Sequence, residues 1–480
     1  MTGHLHHQGI SPYPQAEIPA YVRIRSHDSR NSEFRNLFLA QEFVGGKQPN
    51  PGSAGSTPQT AIGSKMSNGG AATIWIADFS LNGRYLAVAG RDRTIKLFKV
   101  ITTDDERMVQ QMHDSQQVPT SKSYSVPVFL STPVREFKGH SGEVLTLSWS
   151  KNDFLLSGST DKTVRLWHPS HPNCLRVFQH DKTVTSVAFH PVDDRFFLSG
   201  SFDATLRLWD IPRMSIVYLL PVADIITAVA FTPDGKVTIC GTFNGTCILL
   251  NTKGLTQINR LSIRSSETSS NACFKITGLQ TSDPPDNFET PGQATLMITT
   301  NDSRVRIYRL SDNGLETTLE GIRNQSSQIH ARFNDNGDYA ICGSENDEVH
   351  IWHLGSGELK EPYERFHTHS EAVTNAIMAP MATRQLIDLS KDPIYDLCNS
   401  CAPGLDHLYS STNHAACPSQ TSFESSTKGK ERSILESPTD RHPHGHIIVT
   451  TDTMGKIKVY RQDCAFGKRY HAHQNYQVPQ

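Results

Sequence analysis

Two stretches of this chain repeat each other almost residue for residue at a separation of 42 residues. The first is FLLSGSTDKTVRLW, ending at Trp167, and the second is FFLSGSFDATLRLW, ending at Trp209. Each contains short apolar runs separated by polar breaks, a pattern typical of β-strands joined by tight turns. A period near 40 residues is typical of four-stranded sheets arranged around a central axis. The sequence therefore predicts an all-β fold, a β-propeller.

The same order of strands returns five more times with lower sequence similarity to these two copies, so we expect seven blades. The units end at Phe98, Trp167, Trp209, Leu250, Tyr308, Trp352 and Tyr460. A further apolar run precedes each unit and supplies its outer strand. The run within residues 33–44 would complete the last blade and close the ring without an open sheet edge.

The remaining segments fit around this ring. We assign residues 1–32 to a disordered N-terminal segment, 33–44 to the ring-closing strand, 45–71 to a flexible linker, 72–463 to the propeller and 464–480 to a C-terminal tail. Polar insertions interrupt the repeat at 102–132, 281–293 and 381–443. Their low apolar content predicts disorder. Connections in a propeller alternate between its two faces, so the three insertions should leave from one face and the linker from the other.

The repeat resembles the WD-repeat family through residues present here. They are GH at Gly139 and His140, the SGSTD stretch, and RLW ending at Trp167. In that family a buried His, Ser or Thr, Asp and Trp form a hydrogen-bonded chain. The resemblance implies two such tetrads, His140, Ser157, Asp161 and Trp167 in unit two, and His180, Ser199, Asp203 and Trp209 in unit three.

These tetrads are interpreted as structural, because a buried indole N–H needs an acceptor and a buried carboxylate needs donors. A catalytic triad is disfavoured, since the Ser, His and Asp would be engaged with one another below the surface. The five other units depart from the pattern. We expect their blades to rely on packing instead of a polar chain.

The candidate binding residues are those just before the aspartate position in the turn between the second and third strands of each unit. Their side chains should point onto the face of the propeller that carries the connections from outer to inner strands. These residues are Arg91, Thr160, Phe202, Phe243, Asn301 and Glu345, and Lys182 in an adjacent loop would extend the patch. Phe202 and Phe243 would be neighbours on blades three and four. Two readings stay open: the rings anchor a protein partner, or they fold down against neighbouring loops.

A second candidate lies in the longest insertion. Cys398, Cys401, His414 and Cys417 have ligand types that suit tetrahedral zinc. The surrounding sequence is rich in serine and lacks the basic and aromatic residues of a nucleic-acid-binding knuckle. Chance placement in a disordered loop is the alternative, and we expect neither a metal nor another cofactor.

Charge and hydropathy restrict the function further. The chain has 46 Lys and Arg against 48 Asp and Glu, and this balance does not favour a polyanionic partner such as nucleic acid. No apolar run is long enough to cross a bilayer. We expect a soluble, intracellular, monomeric scaffold for protein partners. A propeller enzyme would need acids or histidines converging on the channel, and the repeat positions supply none.

A closer resemblance rests on EFRNLFLAQEF at residues 33–43 and IWIADFSLNGRYLAVAGRD at residues 74–92. These stretches resemble the start of the propeller in the eukaryotic WD-repeat family that includes the animal effector of the recycling-endosome Rab GTPase and its fungal relatives. The resemblance implies a cytosolic scaffold that engages endosomal or Golgi membranes peripherally. In the animal relative the Rab-binding region precedes the propeller, and this chain has only about 30 residues there. Binding of the small GTPase therefore does not carry over residue by residue, and we expect a shortened member or an incomplete chain.

Overall fold

The computed structural model describes residues 18–26, 32–45, 72–116, 126–263, 274–282, 294–354, 364–399, 442 and 444–470. Within them the strands form seven antiparallel sheets. The inner strands of neighbouring sheets contact one another. This arrangement confirms the predicted seven-bladed β-propeller.

Two strands precede the first blade, β1 (Arg25–Ser26) and β2 (Leu37–Val44). Strands a to d are named from the inner to the outer edge of a blade. Blade one consists of β3 (Ile74–Phe79), β4 (Tyr85–Gly90), β5 (Ile95–Lys99) and β6 (Arg135–Phe137). Blade two consists of β7 (Val144–Trp149), β8 (Leu155–Ser159), β9 (Thr163–His168) and β10 (His171–Gln179). Blade three consists of β11 (Val184–Phe189), β12 (Phe196–Ser201), β13 (Thr205–Asp210) and β14 (Ser215–Pro221).

The remaining blades repeat this order. Blade four consists of β15 (Ile226–Phe231), β16 (Val237–Thr242), β17 (Thr246–Asn251) and β18 (Thr256–Ser262). Blade five consists of β19 (Ile276–Ser282), β20 (Thr295–Thr300), β21 (Arg304–Arg309) and β22 (Leu315–Leu319). Blade six consists of β23 (Arg332–Phe333), β24 (Tyr339–Gly343), β25 (Glu348–His353) and β26 (Glu364–His367). Blade seven consists of β27 (Val373–Met378), β28 (Ile447–Asp452) and β29 (Lys456–Gln462).

The N-terminal strands complete the two last blades. β2 pairs antiparallel with β29 and becomes strand d of blade seven, so the two ends of the described chain close the ring together. Its Leu37 and Phe38 are buried in the core. β1 adds a fifth strand to blade six by pairing with β26, which the sequence did not predict.

Side-chain hydrogen bonds tie neighbouring blades together around the channel. Thr185 of blade three donates to the carbonyl of Ile226 in blade four at 2.6 Å, and Thr227 of blade four donates to the carbonyl of Ile276 in blade five at 2.6 Å. The threonines follow the first residue of strand a, where the register shifts in both blades. A β-bulge of this kind redirects one side chain, and here it points a hydroxyl at the next blade.

Three helices occupy insertions that the sequence predicted to be disordered. α1 (Asp104–Gln116) follows β5, while α2 (Met381–Asp388) and α3 (Pro393–Asn399) lie between β27 and β28. Arg107 of α1 donates to the carbonyl of Ser390 at 3.1 Å, so the insertions of blades one and seven meet. The predicted disorder is therefore wrong for these parts, because buried contacts between the two insertions order them. We call the surface formed by these helices the insertion face.

Other boundaries also change. Residues 18–26 are not disordered, since Tyr21 bridges to Phe38 and its hydroxyl donates to Asp463 at 2.8 Å. Residues 281 and 282 belong to β19 instead of an insertion, and residues 126–130 pack into the core. The linker at 46–71 and most of the blade-five and blade-seven insertions lie outside the described residues.

Candidate functional site

Blade two contains the complete polar chain that the sequence predicted. With its proton on Nδ1, His140 donates to Asp161 at 2.8 Å and accepts from the hydroxyl of Ser157 on Nε2 at 2.7 Å. Trp167 Nε1 donates to the same Ser157 oxygen at 2.8 Å. Burial acts to raise the pKa of Asp161, but hydrogen bonds from His140 and Thr163 hold it well below its usual range. Ser157 is fully buried, so this arrangement braces the blade and presents no accessible nucleophile.

Blade three holds only three members of its predicted tetrad. His180 and Trp209 both contact Ser199 Oγ, at 2.8 and 2.9 Å. The predicted bond from His180 to Asp203 is wrong, because His180 Nδ1 faces the carbonyl of Phe178 at 3.2 Å. Asp203 instead accepts from Arg207 at 2.7 Å.

The two blades differ at the residue before the histidine. In blade two a Cβ on Gly139 would lie 2.7 Å from Arg165 Nη1, so that arginine packs against a glycine. Gln179 fills the corresponding position in blade three. In blade three Arg207 donates to the turn aspartate, Asp203.

The expectation that the other blades lack polar chains is wrong for three of them. In blades one and five the turn aspartate pairs with a basic residue four positions later, as in blade three. These pairs are Asp92 with Lys96 and Asp302 with Arg306. In blade seven His369 lies 3.0 Å from Asp452 and 2.8 Å from the hydroxyl of Thr450. A threonine thus takes the place of serine there.

The candidate binding residues share one position in the fold. The backbone N–H of each donates to a carbonyl just before strand a or in the loop that leads to it. The bonds are Arg91 to Thr73, Thr160 to Glu143, Phe202 to Thr183, Phe243 to Ile225, Asn301 to Lys275 and Glu345 to Arg323, at 2.8 to 3.0 Å. We call the surface formed by the b-to-c turns and the d-to-a connections the turn face. All six predicted positions lie on it.

Phe202 and Phe243 are the apolar members of this face. Their exposed fractions are 55% and 49%, and within the described residues neither ring packs on another aromatic side chain. Lys182 is exposed in the loop before β11, and Asp224 in the next loop accepts from the backbone of Asn244 at 2.6 Å. Two exposed rings on adjacent blades with a polar rim are typical of an interface anchor.

The other predicted members have polar surroundings. Arg91 lies 3.8 Å from Glu143, whose carboxylate also accepts from the indole of Trp75 at 2.8 Å. Glu345 accepts from the backbone N–H of Ser326 and Ser327, both at 2.8 Å. These bonds lower the pKa of Glu345 to about 2 although burial opposes the shift. Glu345 therefore holds its own loop. Phe202 and Phe243 are the exposed aromatic residues of the turn face, and Met454, in the b-to-c turn of blade seven, is a separate exposed apolar residue on it.

Only one of the four zinc residues predicted from the sequence belongs to the described residues. Cys401, His414 and Cys417 lie outside the described residues. Cys398 is described, and its neighbours are His442 and Cys464, with the three ligand atoms within 4.8 Å of one another. Neither residue belongs to the ligand set predicted from the sequence, because His442 and Cys464 are 44 and 66 positions away from Cys398.

Electrostatics in this cluster favour a thiolate. Hydrogen bonding from Cys464 lowers the pKa of the Cys398 thiol, and His442 adds to the effect. The hydrogen bond to Cys398 and burial together raise the pKa of Cys464. Burial alone would lower the pKa of His442, but Cys398 and Asp388 raise it. These groups lie on the insertion face, away from the candidate residues of the turn face.

The described part of the chain has no helix with the length and apolar character needed to cross a bilayer. Comparison with family models gives a match to the WD domain, G-beta repeat, over residues 65–99, 131–168 and 172–210. The last two of these segments cover strands of blades two and three, which carry the polar chains described above.

Similar proteins occur in fungi and animals. The chain is 35% identical to an uncharacterized WD repeat-containing protein of Schizosaccharomyces pombe over 65% of its own length and 54% of that protein. It is 35% identical to WD repeat-containing protein 44 of Xenopus laevis over 64% of its length and 37% of that protein. It is 25% identical to 2-deoxy-glucose resistant protein 2 of Saccharomyces cerevisiae over 93% of its length and 66% of that protein. The chain thus spans about half of the first relative and about a third of the second.

Proposed function

Since this chain belongs to the WD-repeat family, we propose that it is a non-catalytic scaffold that binds protein partners through the turn face at blades three and four. The observation that carries the proposal is the exposure of Phe202 and Phe243 on adjacent blades. Large rings left in water on a rigid surface gain free energy when a partner covers them. Lys182, which is exposed beside them, would supply a polar contact at the rim.

The rigidity of this surface supports the proposal. The backbone of Phe202 donates to Thr183 and that of Phe243 to Ile225, so both turns are fixed to the start of strand a. Beneath the first turn, Arg207 holds Asp203 at 2.7 Å. A preorganised anchor loses little conformational entropy on binding, which favours affinity.

The test is quantitative affinity capture with wild type and a Phe202→Ala, Phe243→Ala double variant. The matched control is Leu219→Ala with Ile258→Ala, because these residues lie on the outer strands of the same two blades and are each 51% exposed. We expect at least one captured protein to be lost with the phenylalanine variant and kept with the control. Its binding to the purified proteins should then weaken by about 30-fold or more, as for removal of an interface hot spot.

Identical captured sets for wild type and the phenylalanine variant would contradict the use of this face. Both variants should first show the urea unfolding midpoint of wild type, since exposed side chains contribute little to stability. A partner that is lost with the control variant instead would direct attention to the outer strands.

The finer proposal is a role in Rab-linked vesicle or endosomal trafficking, with cytoplasmic and peripheral membrane localisation. It rests on the resemblance of residues 33–43 and 74–92 and on the similarity to WD repeat-containing protein 44. A direct test is binding of the purified chain to the recycling-endosome Rab GTPase loaded with a GTP analogue or with GDP. Nucleotide-dependent binding would support the trafficking role. Its absence would remove direct Rab binding but leave the scaffold proposal intact.

A further inference from the structure

We infer that Cys398, His442 and Cys464 form a zinc site on the insertion face. The three side chains come from separate segments: Cys398 from α3, His442 from the residues before β28, and Cys464 from the residues after β29. Their ligand atoms lie within 4.8 Å of one another, so the three side chains converge on one position. The site is distinct from the turn face and does not depend on the proposed function.

The measured separations suit zinc. Cys464 Sγ lies 3.8 Å from His442 Nδ1. A zinc ion with bonds of about 2.3 Å to sulfur and about 2.0 Å to nitrogen at tetrahedral angles places those two atoms roughly 3.5 Å apart. A few tenths of an ångström of movement would bring this pair of atoms to that separation. Two thiolates and an imidazole are ligands that select zinc over hard cations such as Mg²⁺ or Ca²⁺.

The outer shell also has the form expected of a metal site. With Nδ1 directed at the sulfurs, Nε2 of His442 faces Asp388 Oδ1 at 3.4 Å. A carboxylate behind a ligating histidine fixes the ring orientation and raises the basicity of the ligand nitrogen. The Tyr395 ring stacks on the imidazole at 4.0 Å with an interplanar angle of 8°, which holds the ring plane.

The backbones of two of the three ligands are anchored as well. Arg384 donates to the carbonyl of His442 at 3.2 Å, and Lys468 donates to the carbonyl of Cys398 at 2.7 Å. Cys398 and Cys464 are partly exposed, so an ion can enter. Metal binding requires both sulfurs as thiolates and Nδ1 of His442 without a proton, so the protons that these atoms hold in the metal-free site are released to solvent. Three protein ligands leave a fourth position for water or a further ligand.

The consequence is a metal link between the long insertion and the end of the propeller. Cys398 and His442 flank residues 399–441, and Cys464 follows the strand that pairs with β2. One ion would hold both flanks of the insertion against the closing blade. Constraining widely separated chain segments stabilises the folded state by restricting the unfolded chain.

The experiment is elemental analysis of the full chain, purified under reducing conditions, together with X-ray absorption of the zinc-loaded wild type. We expect stoichiometric zinc with two sulfur ligands and one histidine nitrogen. Cys464→Ser and His442→Asn should lose the zinc, and Asp388→Asn should weaken binding by about 10- to 100-fold, as removal of outer-shell partners does. Cys174→Ser is the matched control, because it removes a partly exposed cysteine elsewhere and should keep the zinc.

The result that overturns the inference is reduced wild type without zinc, which needs no variant to fold. Zinc retained in both Cys464→Ser and His442→Asn also overturns it. A His414→Ala, Cys417→Ser variant tests the alternative ligand set that was predicted from the sequence. If this variant loses the zinc and His442→Asn retains it, the ion belongs to the set predicted from the sequence. Circular dichroism of each variant separates loss of a ligand from loss of fold.

Discussion

Arg461 on β29 holds the buried carboxylate of Asp392 with two hydrogen bonds, of 2.7 and 2.8 Å. Arg107 from α1 reaches the same carboxylate at 3.1 Å, and all three side chains are buried. Burial would raise the pKa of Asp392, but the two arginines hold it below its usual range. One carboxylate thus joins the insertions of blades one and seven to the strand that closes the ring.

Replacing this carboxylate should be costly. Asp392→Asn keeps the size of the side chain but removes the negative charge that faces two buried guanidinium groups. We expect the free energy of unfolding to fall by about 3–5 kcal/mol, the usual cost of breaking a buried ion pair by removing one partner. Urea denaturation followed by tryptophan fluorescence measures the change.

The adjacent residue provides the control. Lys391 pairs with Asp104 at 2.8 Å between the same two insertions, but both side chains are largely exposed. Lys391→Gln should leave the free energy of unfolding nearly unchanged, because solvent screens exposed pairs. Equal losses in the two variants would contradict a special role for the buried carboxylate.

The blades were predictable because their information is local. The runs that end at Trp167 and Trp209 give both strand positions and the Ser-to-Trp contacts, since these lie within one hairpin. The degenerate blades keep the same alternation of apolar runs and turns, and this pattern survives even where Cys342 replaces the serine.

The polar partners and the insertions were less predictable because their contacts are distant. Asp161 and Asp203 occupy the same place in their motifs, yet only the first meets a histidine. Composition indicated disorder around α1 and α3, while their order depends on a contact between Arg107 and Ser390, 283 positions apart. Such a contact leaves no periodic signal in the sequence.

The indole of Trp167 should matter mainly through packing. Trp167→Ala removes a fully buried ring and leaves Ser157 Oγ without the hydrogen bond from the indole. We therefore expect the free energy of unfolding to fall by about 3–5 kcal/mol. Trp167→Phe keeps most of the apolar area and removes only the N–H donor, so its cost should be about 1–2 kcal/mol. Thermal melts of the two variants should separate clearly. An unchanged melting temperature in Trp167→Ala would show that the ring does not brace blade two.

Stability should fall in mild acid because two buried histidines resist protonation. Burial, and then the nearby Arg207, lowers the pKa of His180 from 6.5 to about 4, and burial lowers that of His350 to about 3. Both rings are neutral in the folded state and become charged in the unfolded state below pH 6.5. The contribution of these two rings to the free energy of unfolding should therefore be constant well above pH 6.5 and decrease as the pH falls toward 4. His180 alone contributes up to about 3 kcal/mol of this decrease.

Urea midpoints measured between pH 7 and pH 4.5 test this dependence. His180→Asn removes one titrating group, so its urea midpoint should change less with pH in this range than that of wild type. Carboxylates such as Asp203 reduce the free energy of unfolding only at lower pH, since the pKa of Asp203 is lowered to about 2. A midpoint that does not move between pH 7 and pH 4.5 in wild type would contradict the burial of both imidazoles.

Ring closure should depend on β2 and only weakly on β1. Deleting residues 1–45 removes Leu37, Phe38 and Phe43 from the core and exposes the whole edge of β29. Each large apolar side chain contributes about 1.5–3 kcal/mol by burial, so the loss approaches the total stability of an ordinary domain. We expect this truncated chain to aggregate through its open edge in size-exclusion chromatography.

Deleting residues 1–26 is the control: it removes β1 and the Tyr21 bond to Asp463, at a cost of about 1–2 kcal/mol. The prediction is wrong if the longer deletion leaves a monomer with the wild-type urea midpoint. The ring would then close without β2, and the edge of β29 would not need a partner strand.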